Sequence, residues 1–202
     1  MYYQEIAKKG YEYLIKRLEE QCNSTQEGGK MRTFSGENVE NLVDYIFTCF
    51  QEKYNDSSLT IHIGKNKPVY IPLNNGKKYA ESVDRHICKG EDIIYAIECK
   101  TYLDKCYLER AFVDYSLMKS NYHKKFGKIV LSIENSISDD AYTLFMSAGN
   151  IDNVFYLATG KRNSTVEKRI YYHPERLKIE LFENFCKNLE ENVFKISQVI
   201  NT

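Results

Sequence analysis

The sequence predicts a mixed α/β fold in which a central mixed sheet lies between layers of helices. Three observations lead to this prediction. Apolar residues recur at intervals of three and four residues in several long segments, which is typical of helices with one buried face. Between them lie short segments rich in β-branched residues, and two of these flank a turn that contains Gly90. Two more apolar segments, 128–133 and 153–158, lack polar alternation, so both faces of these strands should be covered.

The predicted elements alternate in a way that places helices on both sides of the strands. The helices are expected at residues 1–22, 36–53 with Ser35 as N-cap, 104–120, 138–147 with Ser138 as N-cap, and 175–199. The strands are expected at residues 59–63, 68–73, 82–87, 92–99, 128–133 and 153–158. The segment 68–73 contains two prolines and is therefore expected at an edge.

Length and charge limit the classes of protein that fit. The chain has 202 residues, of which 43% are hydrophobic, and its 28 basic residues balance its 28 acidic ones. This length predicts one domain, with an N-terminal helix and loop at 1–35, a core at 36–158 and a C-terminal extension at 159–202. A net charge of zero excludes binding of nucleic acid through bulk positive charge, but it does not exclude a local basic groove.

Membrane and metal-binding signals of the common kinds are absent from the sequence. No segment approaches the roughly 18–20 apolar residues that span a bilayer, and the first residues lack the apolar region of a signal peptide. We therefore expect a cytoplasmic protein without a membrane partner. None of the six cysteines forms a Cys-x-x-Cys pair, which argues against a structural zinc site and favours free thiols.

The segment 81–104 carries the residues that most clearly suggest chemistry. Asp84 lies in the first strand of the predicted hairpin, and Glu98 and Lys100 lie at the end of the second. Because side chains alternate along a strand, Glu98 and Lys100 should share one face while Cys99 faces the other. A turn at 88–91 would bring Asp84 near Glu98. The two carboxylates, with the backbone carbonyl of Cys99, then form an oxygen site suited to Mg²⁺.

These residues resemble the motif of the PD-(D/E)XK nuclease superfamily, in particular that of type II restriction endonucleases. Asp84 is followed by thirteen residues and then by Glu98-Cys99-Lys100, which end an apolar strand and precede a helix. Val83 stands where the family name has proline. The resemblance implies a restriction-endonuclease-like core and hydrolysis of double-stranded DNA that depends on Mg²⁺, with Mn²⁺ as an expected substitute.

The resemblance also implies a role for each site residue. Asp84 and Glu98 would bind the metal, and Lys100 would orient or help to deprotonate the attacking water. Many family members add a glutamate from the helix before the first core strand. Among the acidic residues of helix 36–53, Glu40 lies at the margin of the apolar stripe and is therefore the preferred candidate. Glu81 would take the place of Asp84 if the hairpin register differs.

Basic residues cluster in loops around the candidate site and predict a DNA-binding groove. The candidates are Lys77, Lys78, Arg85, Lys124, Lys125, Lys161 and Arg162. Arg85 alternates away from Asp84, so we expect it to contact phosphate or lie on the surface rather than take part in catalysis. Contacts of this kind fix the position of the duplex and make its binding salt-dependent.

Several interpretations of the sequence remain open at this point. The leading one is a type II restriction enzyme that acts as a homodimer, because a palindromic site calls for two active sites related by a two-fold axis. A Holliday-junction resolvase or a DNA-repair nuclease would use the same fold. A non-catalytic DNA-binding subunit and an unrelated α/β protein with a surface ion pair are also compatible with the sequence. The apolar stripe of the last helix is predicted to be either core or a dimer seam.

Overall fold

The computed structural model describes residues 1–22, 29–161 and 174–200, with side chains for 1–20, 36–161 and 174–198. The helices are α1 (Tyr3–Cys22), α2 (Gly29–Tyr54), α3 (Lys105–Asn121), α4 (Asp139–Ser147), α5 (Ile179–Leu189) and α6 (Lys195–Ile200). The strands are β1 (Leu59–Ile63), β2 (Val69–Pro72), β3 (Lys78–Glu81), β4 (Arg85–Lys89), β5 (Asp92–Leu103), β6 (Gly127–Asn135) and β7 (Asn153–Tyr156).

The central sheet has five strands in the order β1-β4-β5-β6-β7. Strand β4 pairs antiparallel with both β1 and β5, whereas β6 pairs in parallel with both β5 and β7. Helices α3 and α4 connect the parallel strands, as crossover connections require. The predicted mixed sheet flanked by helices is therefore confirmed, and the arrangement is consistent with a restriction-endonuclease-like core.

Two apolar cores lie on opposite faces of the sheet. On one face, residues of α1, α2 and α5 such as Leu14, Leu42 and Phe185 pack against β5 and β6 and are fully buried. On the other face, Leu108 and Tyr115 of α3 pack against the alternate residues of the same strands. Burial on both faces explains why three consecutive residues of β6, 129–131, are apolar.

Three elements differ from the sequence predictions. Helix α2 begins at Gly29, so Ser35 lies within the helix and is not its N-cap. Strand β2 pairs with β3 in a separate two-stranded sheet, and β3 was not predicted. The last helix begins at Ile179 rather than 175, and a π-helical turn at Glu190–Phe194 separates α5 from α6. The predicted N-cap Ser138 is confirmed, since its side chain accepts a hydrogen bond from the Ala141 N–H.

The apolar stripe of the last helix belongs to the core of this chain. Phe182, Phe185, Leu189 and Val193 are all fully buried, whereas Ile196 is half exposed. The stripe as a whole is therefore not free to form a dimer seam, and that interpretation is wrong for its four buried residues. In the part of the chain that is described, no helix combines the length and the apolar character needed to cross a membrane. The five cysteines with described side chains carry free thiols.

The predicted hairpin is formed by β4 and β5, but β4 begins at Arg85, so Asp84 precedes this strand rather than lying in it as predicted. Lys89 pairs with Asp92, and the glycine between them, Gly90, has a φ of 60°. A positive φ at the first central residue is the conformation that a two-residue turn of type II′ requires. A β-bulge follows, because Ile87 pairs with Tyr95 but Cys88 pairs with Ile93. Beyond the bulge Arg85 pairs with Ile97, and this register determines what lies opposite Asp84.

The turn after β1 supports the segment that carries Asp84. The Gly64 N–H donates a hydrogen bond to the Asp84 carbonyl at 3.0 Å. A Cβ atom on Gly64 would lie 1.7 Å from the carbonyl oxygen of Val83. The buried His86 ring closes the same region, since its Nδ1 lies 2.9 Å from the Lys67 carbonyl. The backbone before β4 is therefore packed directly against this turn.

We expect Gly64→Ala to destabilise the fold by about 2 kcal/mol or more, because backbone atoms must move to admit the methyl group. Urea unfolding followed by circular dichroism measures the change. The matched control is Gly36→Ala, since Gly36 lies inside α2 and a Cβ atom there would meet nothing within 4 Å. That variant should be unchanged or more stable, as alanine favours helices. Equal stability of the two variants would contradict the close packing at Gly64.

Candidate active site

Asp84 lies immediately before β4, beside the middle of β5, where Glu98 lies. Its Oδ2 accepts a hydrogen bond from the backbone N–H of Cys99 at 2.7 Å. Because Arg85 pairs with Ile97, Asp84 stands opposite Glu98 across the hairpin. The structure thus brings Asp84 and Glu98 together, as the hairpin geometry predicted. Glu81 does not fit this register in place of Asp84, because Glu81 ends β3 in the separate two-stranded sheet.

The Lys100 ammonium group lies at the point where three oxygen atoms converge. Its Nζ is 3.4 Å from Asp84 Oδ2 and 3.1 Å from the Cys99 carbonyl oxygen. It also forms a close ion pair with Glu98 Oε1. The side chains of Glu98 and Lys100 are only 10% and 20% exposed. These two residues therefore form a buried, charged pair rather than an ion pair on the open surface.

Helix α3 fixes the backbone of β5 at Glu98. Tyr115 is fully buried, and its hydroxyl oxygen accepts a hydrogen bond from the Glu98 N–H at 3.0 Å. The same hydroxyl group contacts the carbonyl oxygens of Ala96 and Ile129, so it lies between β5 and β6. A buried hydroxyl with satisfied partners restricts the backbone around it. Tyr115 was not singled out from the sequence, where it is one aromatic residue of an apolar helix face.

Burial and neighbouring charges shift the pKa values of both Glu98 and Lys100. Burial, and next the negative charge of Asp84, raise the pKa of Glu98 to about 7, although Lys100 opposes the shift. Burial lowers the pKa of Lys100, but Glu98 and Asp84 outweigh it, and the net pKa is raised. Lys100 is therefore an ammonium ion at neutral pH in this state, and it donates hydrogen bonds rather than accepting a proton.

Glu40 approaches the site from α2 and is held there by Arg85. The Arg85 Nη1 donates to Glu40 Oε2 at 2.6 Å. Two further bonds, from Nε and Nη2, reach the two carboxylate oxygens of Asp44 at 2.8 and 2.9 Å. Burial and the nearby charge of Asp84 raise the pKa of Glu40, while Arg85 and Lys100 lower it. Glu40 thus lies within the electrostatic reach of Asp84 and Lys100.

Arg85 does not have the surface position that the sequence predicted. Its side chain is only 6% exposed, and it is engaged by Glu40 and Asp44. The Arg85 side chain does point away from Asp84, as alternation along the strand predicts, but it points towards α2 rather than into solvent. A signal was present in the sequence, because Glu40 and Asp44 lie four residues apart and so share one face of the helix.

A further carboxylate, Asp114 on α3, was also missed. It is partly buried, and its pKa is raised, mainly by burial and to a lesser extent by the negative charge of Asp84. The positive charges of Arg110 and Lys100 oppose this shift. It also raises the pKa of Glu98. These mutual effects place Asp114 near the Asp84–Glu98–Lys100 group, on the α3 side. The site is thus more acidic than the hairpin residues alone imply.

The predicted DNA-contacting residues lie in different parts of the molecule. Lys77 is exposed in the turn between β2 and β3, and Lys78 is exposed at the start of β3. Lys161 is exposed after β7, where it pairs with Asp139. Lys124 forms an ion pair with Asp92, the first residue of β5. Asp92 precedes Lys100 by eight residues in this strand, so Lys124 lies at the end of β5 that is remote from the candidate site. Lys125 lines a cavity of about 500 Å³ near the start of β6. Arg162 lies outside the described residues.

The residues present fit a divalent cation, with one qualification that concerns Lys100. In the described ranges, no three His, Cys, Asp or Glu side chains converge to hold a metal by themselves. The oxygens of Asp84, Glu98 and the Cys99 carbonyl nevertheless all surround one positive charge, which is the Lys100 ammonium. Two carboxylates and a carbonyl are the ligands that Mg²⁺ and Ca²⁺ prefer. A cation that binds these oxygens must therefore displace the ammonium group.

Comparison with known proteins gives a distant relative. The chain is 25% identical over 167 residues to the type II restriction enzyme DdeI of Desulfomicrobium norvegicum. The aligned region is 75% of this chain and 65% of that enzyme, so the match spans less than two thirds of the relative. No family model matches the chain. The chain therefore has a restriction-endonuclease-like relative, which supports a nuclease as the class of protein.

Proposed function

We propose that this protein is a Mg²⁺-dependent endonuclease that cleaves double-stranded DNA at specific sequences, as a type II restriction enzyme. The observation that carries the proposal is the convergence of Asp84, Glu98 and Lys100 at one edge of the hairpin. The distant similarity to a type II restriction enzyme supports it. An ordinary ion pair on the surface would not be buried beside a second carboxylate, as the Glu98–Lys100 pair is beside Asp84, because burial of charge costs free energy.

In this proposal each residue of the candidate site has a definite role. Asp84, Glu98 and the Cys99 carbonyl would hold the cation, which when bound polarises a phosphoryl oxygen and acidifies water. Lys100 would orient the attacking water and offset negative charge at the phosphate. Glu40 would assist from α2. The Cys99 N–H fixes the orientation of Asp84, and Tyr115 fixes the backbone of Glu98, so both carboxylates are held before substrate arrives.

Other nucleases with the same fold would differ in what they cut. A Holliday-junction resolvase or a DNA-repair nuclease would use the same carboxylates on DNA of a particular structure. A homodimer remains our expectation for a palindromic site, and its interface lies elsewhere than on the four buried residues of the last helix. A non-catalytic DNA-binding subunit is disfavoured, because binding alone does not require both carboxylates and the lysine to converge.

Sequencing of the cut ends separates these kinds of nuclease. Plasmid DNA is incubated with the protein in Mg²⁺, and the ends of the products are ligated to adaptors and sequenced. We expect the ends to fall at one short recurring sequence. Cuts confined to a cruciform or another structured region, with no recurring sequence, would instead favour the resolvase or the repair nuclease. Mn²⁺ is expected to replace Mg²⁺ in this assay.

The raised pKa of Glu98 predicts that cation binding depends on pH near neutrality. Below about pH 7 Glu98 is protonated in the fold, and a proton then competes with the cation for the same oxygen. The affinity should fall by roughly tenfold per pH unit below pH 7 for one competing proton. The same shift means that the cation-free protein gains stability as the pH falls through 7 towards the ordinary glutamate range. Calcium titration by calorimetry at pH 6 and pH 8 measures the effect, and equal affinities would contradict it.

A further inference from the structure

We propose that Asp44 and Arg85 are positioning residues which hold Glu40 beside Asp84 and thereby set the affinity of the site for a divalent cation. This inference rests on the proposed function, since it assigns both residues to cation binding rather than to DNA contact. Neither residue was given this task by the sequence. Asp44 was not singled out in the sequence, and Arg85 was expected to be a surface or phosphate-binding residue.

The Arg85 guanidinium group joins α2 to the segment that carries Asp84. It donates two parallel hydrogen bonds, of 2.8 and 2.9 Å, to the Asp44 carboxylate, and these fix the plane of the guanidinium group. The remaining nitrogen, Nη1, reaches Glu40 Oε2 at 2.6 Å and the Asp84 carbonyl oxygen at 3.1 Å. Asp44 therefore determines where Arg85 points, and Arg85 determines where the Glu40 carboxylate lies. The Asp84 carbonyl is also held by the Gly64 N–H.

A purely structural ion pair would not need this arrangement. One carboxylate is sufficient to neutralise a buried arginine, and Asp44 alone makes the bidentate pair. Glu40, one helical turn earlier, adds a second carboxylate and leaves the group of three with a net charge of −1. The excess charge lies close to Asp84, because Arg85 Nη1 contacts both Glu40 and the Asp84 carbonyl oxygen. It therefore destabilises the metal-free site but favours a cation. A cation would therefore be attracted to a carboxylate that is already fixed in place.

The experiment is a double-mutant cycle on Ca²⁺ affinity, measured by titration calorimetry with no DNA present. It compares the wild type, Asp44→Asn, Glu40→Gln and the double variant. We expect each single variant to bind Ca²⁺ about tenfold more weakly, as loss of a residue that orients a metal ligand does. The double variant should bind no more weakly than Glu40→Gln, because Asp44 acts through Glu40.

The matched control is Asp152→Asn. Asp152 also pairs with a buried cation, the Lys128 ammonium at 2.9 Å, but this pair lies at the start of β6. Its loss should leave Ca²⁺ affinity unchanged. Because the Asp44 side chain is partly exposed, the fold should accommodate the asparagine of Asp44→Asn. Arg85→Lys is a second variant, which keeps the positive charge but loses the planar guanidinium group, and we expect the same loss of Ca²⁺ affinity from it.

Each other outcome has a distinct meaning. If the effects of Asp44→Asn and Glu40→Gln add, Asp44 acts only as one more negative charge, and the positioning role is wrong. If Asp44→Asn binds Ca²⁺ as tightly as the wild type, the inference is again wrong while the proposed cation site stands. If the wild type itself binds no Ca²⁺, the proposed function is contradicted together with this inference.

Discussion

Asp84→Asn and Glu98→Gln are each expected to abolish DNA cleavage, with a loss of at least about a thousandfold, or about 4 kcal/mol of transition-state stabilisation. Each substitution replaces a negatively charged ligand by a neutral amide of the same shape. The cation is then held by too little charge, and the water that attacks the phosphate is neither acidified nor aligned. Single-turnover cleavage of a duplex that contains the mapped site measures the loss.

The fold should survive these two substitutions. In Asp84→Asn the side-chain amide keeps an oxygen that can accept the Cys99 N–H, which Asp84 now accepts at 2.7 Å. At position 98, burial raises the pKa of the glutamate, so its charged form is disfavoured in the fold. A neutral glutamine avoids the cost of burying that charge, which offsets the loss of the ion pair with Lys100. Melting temperatures within a few degrees of the wild type are therefore expected. Cleavage at the wild-type rate by either folded variant would contradict the assignment.

Lys100→Met is expected to separate cation binding from catalysis. Cleavage should fall by about 10²–10⁴-fold, because no ammonium group remains to orient the water or offset charge at the phosphate. Divalent cations should bind more tightly, since Lys100 now lies among the oxygens of Asp84, Glu98 and the Cys99 carbonyl and must be displaced. Two positive charges about 4 Å apart repel by about 4 kcal/mol near a protein surface, of which we expect only part to appear, as a roughly tenfold gain in affinity.

Calcium titration of the wild type and of Lys100→Met tests this separation of binding from catalysis. Methionine is chosen because it keeps most of the apolar part of the lysine side chain. The control is Lys128→Met, which removes another buried ammonium group that pairs with Asp152 away from the site. That control should leave Ca²⁺ affinity unchanged. Weaker binding in Lys100→Met than in the wild type would show that the lysine supports the cation rather than competing with it.

The hairpin and its site could be predicted because their signals are local. A glycine turn, β-branched segments and the two-residue alternation of side chains are enough to place Glu98 and Lys100 on one face near Asp84. The choice of Asp84 over Glu81 depended on the register, which the turn and the β-bulge between Ile87 and Cys88 fix together. The position of Arg85 could not be obtained in this way. Its partners lie on α2, more than forty residues earlier, and only tertiary packing brings them to it.

Other elements were missed for physical reasons that differ from case to case. Strand β3 has three exposed residues out of four, so it offers no apolar pattern to detect. Helix α2 continues back through Ser35 and Gly36 to Gly29, although these residues are poor helix formers. Extending an existing helix costs far less than starting one, and about 1 kcal/mol per glycine can be absorbed. Charge clusters such as Lys124 and Lys125 do not reveal at which end of a strand they lie.

The central claim is that Asp84, Glu98 and Lys100 form a cation-dependent active site for duplex DNA. Its most direct test is the incubation of supercoiled plasmid with the wild-type protein in Mg²⁺, with Asp84→Asn and an excess of EDTA as parallel reactions. We predict that the wild type in Mg²⁺ converts the plasmid to linear fragments of fixed length, while EDTA and Asp84→Asn leave it supercoiled. Intact plasmid in all three reactions, or cleavage that persists in EDTA, would contradict the account.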